Sequence, residues 1–474
     1  MKTCTFSEAR TNRIAAGHCG WKPLLAAAIA LGLAAWAGPA AAEGATPSLE
    51  EMWQIVQKQQ AEIERLKQQN AQLQQRAAQP PPALVPAAPD PVTAPAADES
   101  GSRFDIYGFA MLDTGYQFKQ NDPDWFDVVR PTKLPAYANQ FGDDGEWFAG
   151  VRQSRLGFKS FTPTALGELK TIFEFELFGV GADAGQTTFR LRHAWGELGQ
   201  FGAGQTWSPF MDPDVFPNSI EYWGPNGMVF FRNVQFRWTP WSDGDSRLAF
   251  ALERPGASGD AGEFADRVEL SGITGDFDLP DLTGHWRWAD DWGHLQVAGI
   301  LRQIEWNDNL ADQFDLSGSE TGWGINLSTN YRLGPHVFRG SVVYGEGIQN
   351  YMNDATVDIG VVENFSNPVK PIFGEAIPML GLVAFLDLNW SETWTSTVGY
   401  SMLDMDLPNG QSPSTFETGQ YALANLLYHP VPNVFYGVEL QWGDRENFTD
   451  GFTSDDFRVQ FSAKYSFGKT FGAN

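Results

Sequence analysis

The stretch Gly204–Thr239, GQTWSPFMDPDVFPNSIEYWGPNGMVFFRNVQFRWT, joins the end of one short strand to a second strand through a long loop. In the second strand, Met228–Thr239, polar and apolar residues alternate, as expected for a strand with one buried face. The loop carries large aromatic side chains and only acidic charges, notably Trp207, Trp223, Asp212, Asp214 and Glu221. Its prolines restrict the backbone. This composition indicates a rigid loop with buried side chains, which either lies inside a channel or packs over an ordinary core.

The bulk composition favours a large all-β protein. The chain has 474 residues, of which 14% are aromatic, with 49 Gly and many short alternating runs. Its formal net charge of −26 argues against a nucleic-acid partner, because phosphate binding requires clustered Lys and Arg. Both cysteines, Cys4 and Cys19, lie near the start of the chain. We therefore expect no disulfide, no cysteine-based metal site and no cofactor in the exported protein.

Residues 1–42 have the pattern of a secretory signal peptide. Basic residues precede a short apolar run, Leu24 to Leu33, which is followed by three alanines ending at Ala42. The run is too short to span a membrane as a helix. We expect export, with cleavage after Ala42.

Residues 43–78 are predicted to form a short coiled-coil helix that oligomerises the protein. Heptad spacing places eight residues in the seam: Leu49, Met52, Val56, Gln59, Ile63, Leu66, Asn70 and Leu73. The pattern does not decide between two and three strands, and one helix docked on its own barrel is the alternative. Residues 79–103 are rich in Pro and Ala and are predicted to be an extended linker.

From residue 104 to 474 the sequence repeats one pattern of alternating strands. The clearest examples are Arg155–Phe161, Glu168–Phe178, Gly322–Leu333 and Asp456–Phe467, each with one apolar and one polar face. Connections alternate between short turns and long loops, which together demarcate sixteen strands. This layout predicts a 16-stranded antiparallel transmembrane β-barrel, whereas the loops of a soluble sandwich would not segregate by length so regularly. Sixteen strands enclose an aqueous channel, into which the aromatic loop is expected to fold.

Several stretches resemble the DcaP-like trimeric outer-membrane porin family. They are FDIYGFAMLDTGYQF (Phe104–Phe118), VRQSRLGFKSFTP (Val151–Pro163), FRLRHAWGELGQFGAGQTWSPFMDPDVFPNSIEYWGP (Phe189–Pro225) and RVQFSAKYSF in the last strand. The resemblance implies a homotrimer with its coiled coil in the periplasm and a pore that favours anions such as dicarboxylates. The sequence departs from the usual barrel terminus, because GKTFGAN follows Phe467 instead of a final aromatic residue.

Strand parity places a set of basic residues on the inner face of the barrel. The candidates for pore lining are Arg155, Lys159, Arg190, Arg192, Arg237, Arg287, Arg332, Arg458 and Lys464. A basic wall attracts anions, and the planar guanidinium groups of its arginines can form paired hydrogen bonds with carboxylates. The alternative is that these residues are solvated and paired with Glu174 and Glu176. Asp212, Asp214 and Glu221 of the aromatic loop are expected to face the basic wall across a constriction.

These patterns together predict an outer-membrane porin for passive diffusion of small anionic solutes, in contact with lipid and lipopolysaccharide. The five histidines after residue 42 lack metal-ligand or catalytic spacing, so we expect neither a metal site nor an enzyme. Two alternatives remain open. One is a structural tether acting through the coiled coil, and the other is an outer-membrane hydrolase.

Overall fold

The computed structural model describes residues 101–179 and 187–472. The predicted signal peptide (1–42), the coiled coil (43–78) and all but the last residues of the linker (79–103) lie outside the described residues. The first strand begins at Arg103, one residue before the expected barrel boundary.

The described residues contain strands β1–β21 and six short 3₁₀ helices. The strands are β1 Arg103–Gln117, β2 Glu146–Gly150, β3 Arg155–Thr164, β4 Gly167–Glu176, β5 Arg190–Leu198, β6 Phe201–Trp207, β7 Arg232–Asp243, β8 Ser246–Glu253, β9 Gly259–Asp260, β10 Ile273–Asp276, β11 Asp281–Asp290, β12 Gly293–Asp308, β13 Gly318–Leu333, β14 His336–Glu346, β15 Ile359–Glu363, β16 Ile372–Ala376, β17 Pro378–Asn389, β18 Trp394–Met405, β19 Phe416–Val431, β20 Val434–Asn447 and β21 Thr453–Gly472. The helices are Pro123–Trp125, Pro131–Lys133, Pro213–Val215, Gly262–Phe264, Val268–Gly272 and Gln349–Tyr351. None of these described helices has the length and apolar composition needed to cross a membrane.

Sixteen of the described strands close into one antiparallel barrel, which confirms the predicted strand number. They are β1, β3–β8, β11–β14 and β17–β21, each paired with its neighbour in the chain. Closure comes from β1 and β21, which pair along fifteen residues from Arg103↔Gly472 to Gln117↔Arg458. Strand β2 continues β3 along β1, and β10 continues β11 along β12. A separate small sheet joins β9, β15 and β16.

The two faces of the wall differ as the period-two pattern predicts. On β13, Ile325 and Leu327 are 54% and 45% exposed, whereas Asn326 and Ser328 between them are buried. Similar outward rows of Leu, Val and Phe recur around the barrel. Apolar side chains on the exterior can face lipid without loss of hydration. The polar backbone groups also need no water there, because a closed barrel pairs them within the sheet.

Short turns and long loops also follow the expected division. Two-residue turns join β5 to β6 and β13 to β14, where Gly199 and Gly334 adopt φ values of 60° and 65°. These left-handed values favour glycine. The last strand differs from the prediction: it continues past Phe467 to Gly472, with Phe471 paired to Phe104.

Candidate functional site

The aromatic loop between β6 and β7, residues 208–231 (loop 3), lies against the inner face of the wall. Early in the loop, Phe210 is fully buried and its carbonyl oxygen accepts a bond from Asn326 of β13 at 3.0 Å. Further along, Asn218 accepts a bond from Asn425 of β19 at 2.8 Å. Tyr222 then bonds to Glu176 of β4. Loop 3 therefore follows the wall around the interior of the barrel.

Apolar packing holds the loop as well as hydrogen bonds do. Phe210, Met211 and Val215 of the loop form one buried cluster with inward residues of the wall, including Val383 and Phe385 of β17. Strand β17 is apolar on both faces, unlike the alternating strands. The nearly continuous apolar run in its sequence was the available signal for this inner contact.

Asp212 anchors the first half of the loop. Its carboxylate accepts bonds from Arg287 at 3.1 Å, His294 at 2.7 Å and Ser328 at 2.6 Å, and its side chain is fully buried. Burial alone would raise the pKa of Asp212, but His294, Ser328 and Arg287 outweigh it and hold the pKa at about 2. The Asp214 carboxylate accepts a second bond from Arg287 at 2.5 Å. Asp212 and Asp214 therefore both pair with Arg287, one of the arginines predicted to line the inner wall.

Among the described residues, Asp212, Asp214 and His294 are the one group whose spacing could hold a metal ion. The guanidinium of Arg287 already bridges the two carboxylates. A divalent cation would have to displace that fixed positive charge. The group therefore functions as a pair of salt bridges from Arg287 to the two carboxylates of loop 3.

The tip of loop 3 sits on an acid of the wall. Glu439 of β20 is fully buried and accepts bonds from the Ile220 nitrogen at 3.0 Å and the Glu221 nitrogen at 3.2 Å. The side chains of Ser219, Asn425 and Gln441 donate three further hydrogen bonds to its carboxylate. Five hydrogen-bond donors therefore satisfy the two oxygens of this buried acid.

Glu221 is buried between loop 3, the loop after β1 and strand β19. Its side chain is 1% exposed and accepts bonds from the Val129 nitrogen at 3.2 Å, the Gly224 nitrogen and the Tyr421 hydroxyl at 3.3 Å. Burial raises the pKa of Glu221 to about 7. This acid ties loop 3 to the loop between β1 and β2.

In the described part of the chain, a cluster of four arginines surrounds two glutamates beside loop 3. The members of this arginine cluster are Arg155, Arg190, Arg192, Arg232, Glu174 and Glu176. Arg192 makes the shortest pairs, at 2.6 Å to each glutamate. Four guanidinium groups thus face two carboxylates, which leaves two positive charges in excess. Charge that is not neutralised in a narrow interior attracts anions.

A cavity of about 310 Å³ lies next to the arginine cluster. We call it the aromatic cavity, and its lining includes Trp125, Arg130, Arg190, Tyr222, Trp223 and Phe230. The Arg130 guanidinium is 4.3 Å from the Trp125 ring centre and 4.1 Å from the Trp223 ring centre. The cavity thus combines two cationic side chains with flat aromatic surfaces.

The remaining predicted residues lie apart from this cavity. The Lys159 and Lys464 ammonium groups lie over the rings of Tyr107 and Phe109, at 4.8 Å and 4.0 Å. Arg237 bonds to the Trp207 carbonyl, Arg458 is fully buried and bonds to the Asp127 carbonyl, and the exposed Arg332 bonds to the Asp291 carbonyl. The structure therefore brings the predicted Arg155, Arg190 and Arg192 together, with Trp207 beside Arg192, and places the other predicted basic residues elsewhere.

Parity missed two arginines of the site. Arg232 is the first residue of β7, where alternation assigns it outward, yet it lies 3.8 Å from Glu176 and is 5% exposed at its side chain. Arg130 belongs to the loop between β1 and β2, where strand periodicity carries no information.

A closed barrel with an apolar exterior, a polar interior and an inserted loop defines a porin-type outer-membrane β-barrel. The chain belongs to the DcaP outer membrane protein family, whose family model matches residues 54–357. No curated protein sequence matches it.

Solved structures share the fold. The chain is similar to the outer membrane channel DcaP of Acinetobacter baumannii, with 23% identity and a TM-score of 0.64, over 77% of this chain and 98% of that one. It also matches an anion-selective porin from Comamonas acidovorans, with 11% identity and a TM-score of 0.49, over 77% and 100% of the two chains. OmpT of Vibrio cholerae in its trimer form gives 11% identity and a TM-score of 0.48, over 78% and 100%.

Proposed function

We propose that the protein is a passive channel through which small anionic solutes, such as dicarboxylates, diffuse more readily than cations. The observation that carries this proposal is the charge of the arginine cluster. Its arginines outnumber its glutamates, and Arg155 and Arg190 keep 24% and 27% of their side chains exposed. Exposed guanidinium groups in a confined interior concentrate anions and repel cations.

We further propose that loop 3 narrows this channel. Its anchoring by Asp212 at one end and by Glu439 at the tip supports a fixed position inside the barrel. A fixed loop opposite fixed arginines gives a constriction of constant width and charge. Transport then needs no chemical step, and neither a cofactor nor a catalytic residue enters the proposal.

The proposed assembly is a homotrimer in the outer membrane, in contact with lipid and lipopolysaccharide. A cleaved signal peptide would direct export, and the coiled coil of residues 43–78 would project into the periplasm and hold the trimer together. The heptad pattern of that segment supports this part of the proposal.

The test is the reversal potential of the full-length protein in a planar bilayer under a KCl gradient. We expect an anion-selective value that moves toward zero in Arg190→Ala. The control is Arg267→Ala, because Arg267 pairs with Glu269 in a loop away from the arginine cluster. A cation-selective value would overturn the proposal and would mean that the acidic loops dominate permeation.

A further inference from the structure

On the long-loop side of the barrel, a second cavity lies between the small sheet of β9, β15 and β16 and the ends of β10 and β12. We call it the loop-side cavity, and its volume is about 330 Å³. Its lining is mainly apolar and includes Ile304, Trp306, Leu316, Ile359 and Ile372. None of the described residues lines both this cavity and the aromatic cavity. The loop-side cavity is therefore separate from the proposed anion path.

Two separate apolar clusters border the loop-side cavity. One contains the buried Leu316 and Ile372, and the other contains the buried Ile304 and Ile359. All four side chains line the cavity. Side chains beside an unfilled apolar space lack packing partners on one side and lose the dispersion attraction that such partners would supply. An apolar occupant would restore these contacts and join the two clusters.

Hydrogen-bond donors of the lining are already used within the protein. The Ser258 hydroxyl donates to the side-chain oxygen of Asn350 at 2.9 Å. The indole nitrogen of Trp306 donates to the Leu316 carbonyl at 2.8 Å. Both donors are satisfied without a ligand, which favours an occupant that makes no hydrogen bonds of its own.

The charge of the lining differs from that of the arginine cluster. Its two charged residues are Asp260 and Glu305, and the described residues that line the cavity include no Lys or Arg. Moving an ionised carboxylate into an apolar space without a cationic partner is unfavourable. The loop-side cavity should therefore reject the organic anions that the proposed channel admits.

We propose that the loop-side cavity binds uncharged, largely apolar molecules about the size of two fused aromatic rings. An apolar cavity of about 150 Å³ holds benzene, so a cavity of about 330 Å³ has room for a two-ring molecule. Removal of the ligand from water into a site lined by hydrocarbon provides the affinity. This inference goes beyond the proposed anion channel and does not rest on it.

The experiment titrates naphthalene into the full-length, deuterated protein in phosphatidylcholine nanodiscs and follows the isoleucine methyl resonances by NMR. Ile273, Ile304, Ile359 and Ile372 line the cavity, and we expect saturable shifts at these four methyl groups. Ile325 is 54% exposed on the outer face of the barrel, so its shift reports naphthalene dissolved in the lipid. The charged counterpart 2-naphthoate should need at least about tenfold higher concentration to produce the same shifts.

Two alanines of one loop provide a matched pair of variants. Ala261 lines the cavity, so Ala261→Phe should fill it and abolish the saturable shifts. Ala265 is exposed in the same loop, so Ala265→Phe should retain them. The comparison of the two probes on the wild-type protein does not depend on the folding of either variant.

Three outcomes would overturn the inference. Shifts confined to Ile325 would show that naphthalene enters only the lipid, and equal affinity for naphthalene and 2-naphthoate would show that the site does not select uncharged molecules. Magnetisation transfer from lipid acyl chains to the four cavity methyl groups, before naphthalene is added, would show that a membrane lipid fills the cavity. The reversal potential tests the proposed function separately and is unaffected by any of these results.

Discussion

The carboxylate of Glu439 accepts a hydrogen bond from the backbone nitrogen of Ile220 at 3.0 Å, although the two residues are 219 positions apart in the sequence. Glu439 also accepts bonds from Glu221 and Ser219 of the same loop. One inward acid thus binds three consecutive residues at the tip of loop 3.

Glu439→Gln should release the tip of the loop. The amide nitrogen of glutamine would face donors instead of accepting from them, which leaves buried N–H groups unpaired at a cost of about 2 kcal/mol. We expect a higher single-channel conductance and a lower melting temperature. Glu363→Gln, at an exposed position in the small sheet, is the control. Unchanged conductance would show that the tip is held by other contacts.

The two acids that meet Arg287 should differ in their contribution to stability. Asp212 is fully buried, so Asp212→Asn leaves the buried guanidinium poorly compensated and should lower the free energy of unfolding by about 3 kcal/mol. The Asp214 side chain is 50% exposed, so Asp214→Asn should cost less than about 1 kcal/mol. Urea unfolding of both variants tests the difference. Equal losses would contradict the unequal roles.

Glu221 should make stability depend on pH near neutrality. Burial raises its pKa from 4.5 to about 7, so between these values the folded protein keeps a proton that the unfolded chain releases. Stability therefore falls as pH rises through this window, by an amount on the order of 3 kcal/mol. Glu221→Gln should flatten the dependence, and Glu392→Gln, exposed at a turn, should not. Melting curves between pH 4 and pH 8 give the comparison; parallel curves for wild type and Glu221→Gln would rule out this carboxyl as the source.

The sequence predicted the strands of the barrel wall better than the contacts inside the barrel. Alternation on β13 identifies outward Ile325 and inward Asn326 correctly, because period two reports which side chains share a face. The same rule failed at Arg232, since a residue at the first position of a strand is free to turn inward. Parity assigns a face to a residue but does not name its partner.

The candidate site depends on partners that are distant in the chain. The pairing of Arg287 with Asp212 spans 75 residues, and that of Arg130 with Asp354 spans 224. Periodicity within a segment of sequence does not reveal contacts between residues so far apart in the chain. The loop composition did indicate that loop 3 is packed, because Trp223 and the prolines have no reason to lie in solvent. It did not indicate that Glu221 would be buried with the aromatic residues.

Gly227 gives a test of how closely loop 3 approaches the wall. Its backbone nitrogen donates to Ser401 at 2.9 Å, and a Cβ at this position would lie 2.8 Å from the Leu382 backbone and against the Met402 carbonyl. Gly227→Ala should therefore push the loop off β17 and β18, at a cost of about 2 kcal/mol, and change the single-channel conductance. Gly196→Ala is the matched control, since no atom lies within 4 Å of the added carbon there. If both variants melt and conduct like wild type, the loop has enough freedom to accommodate the methyl group, and a fixed constriction is no longer a sound basis for selectivity.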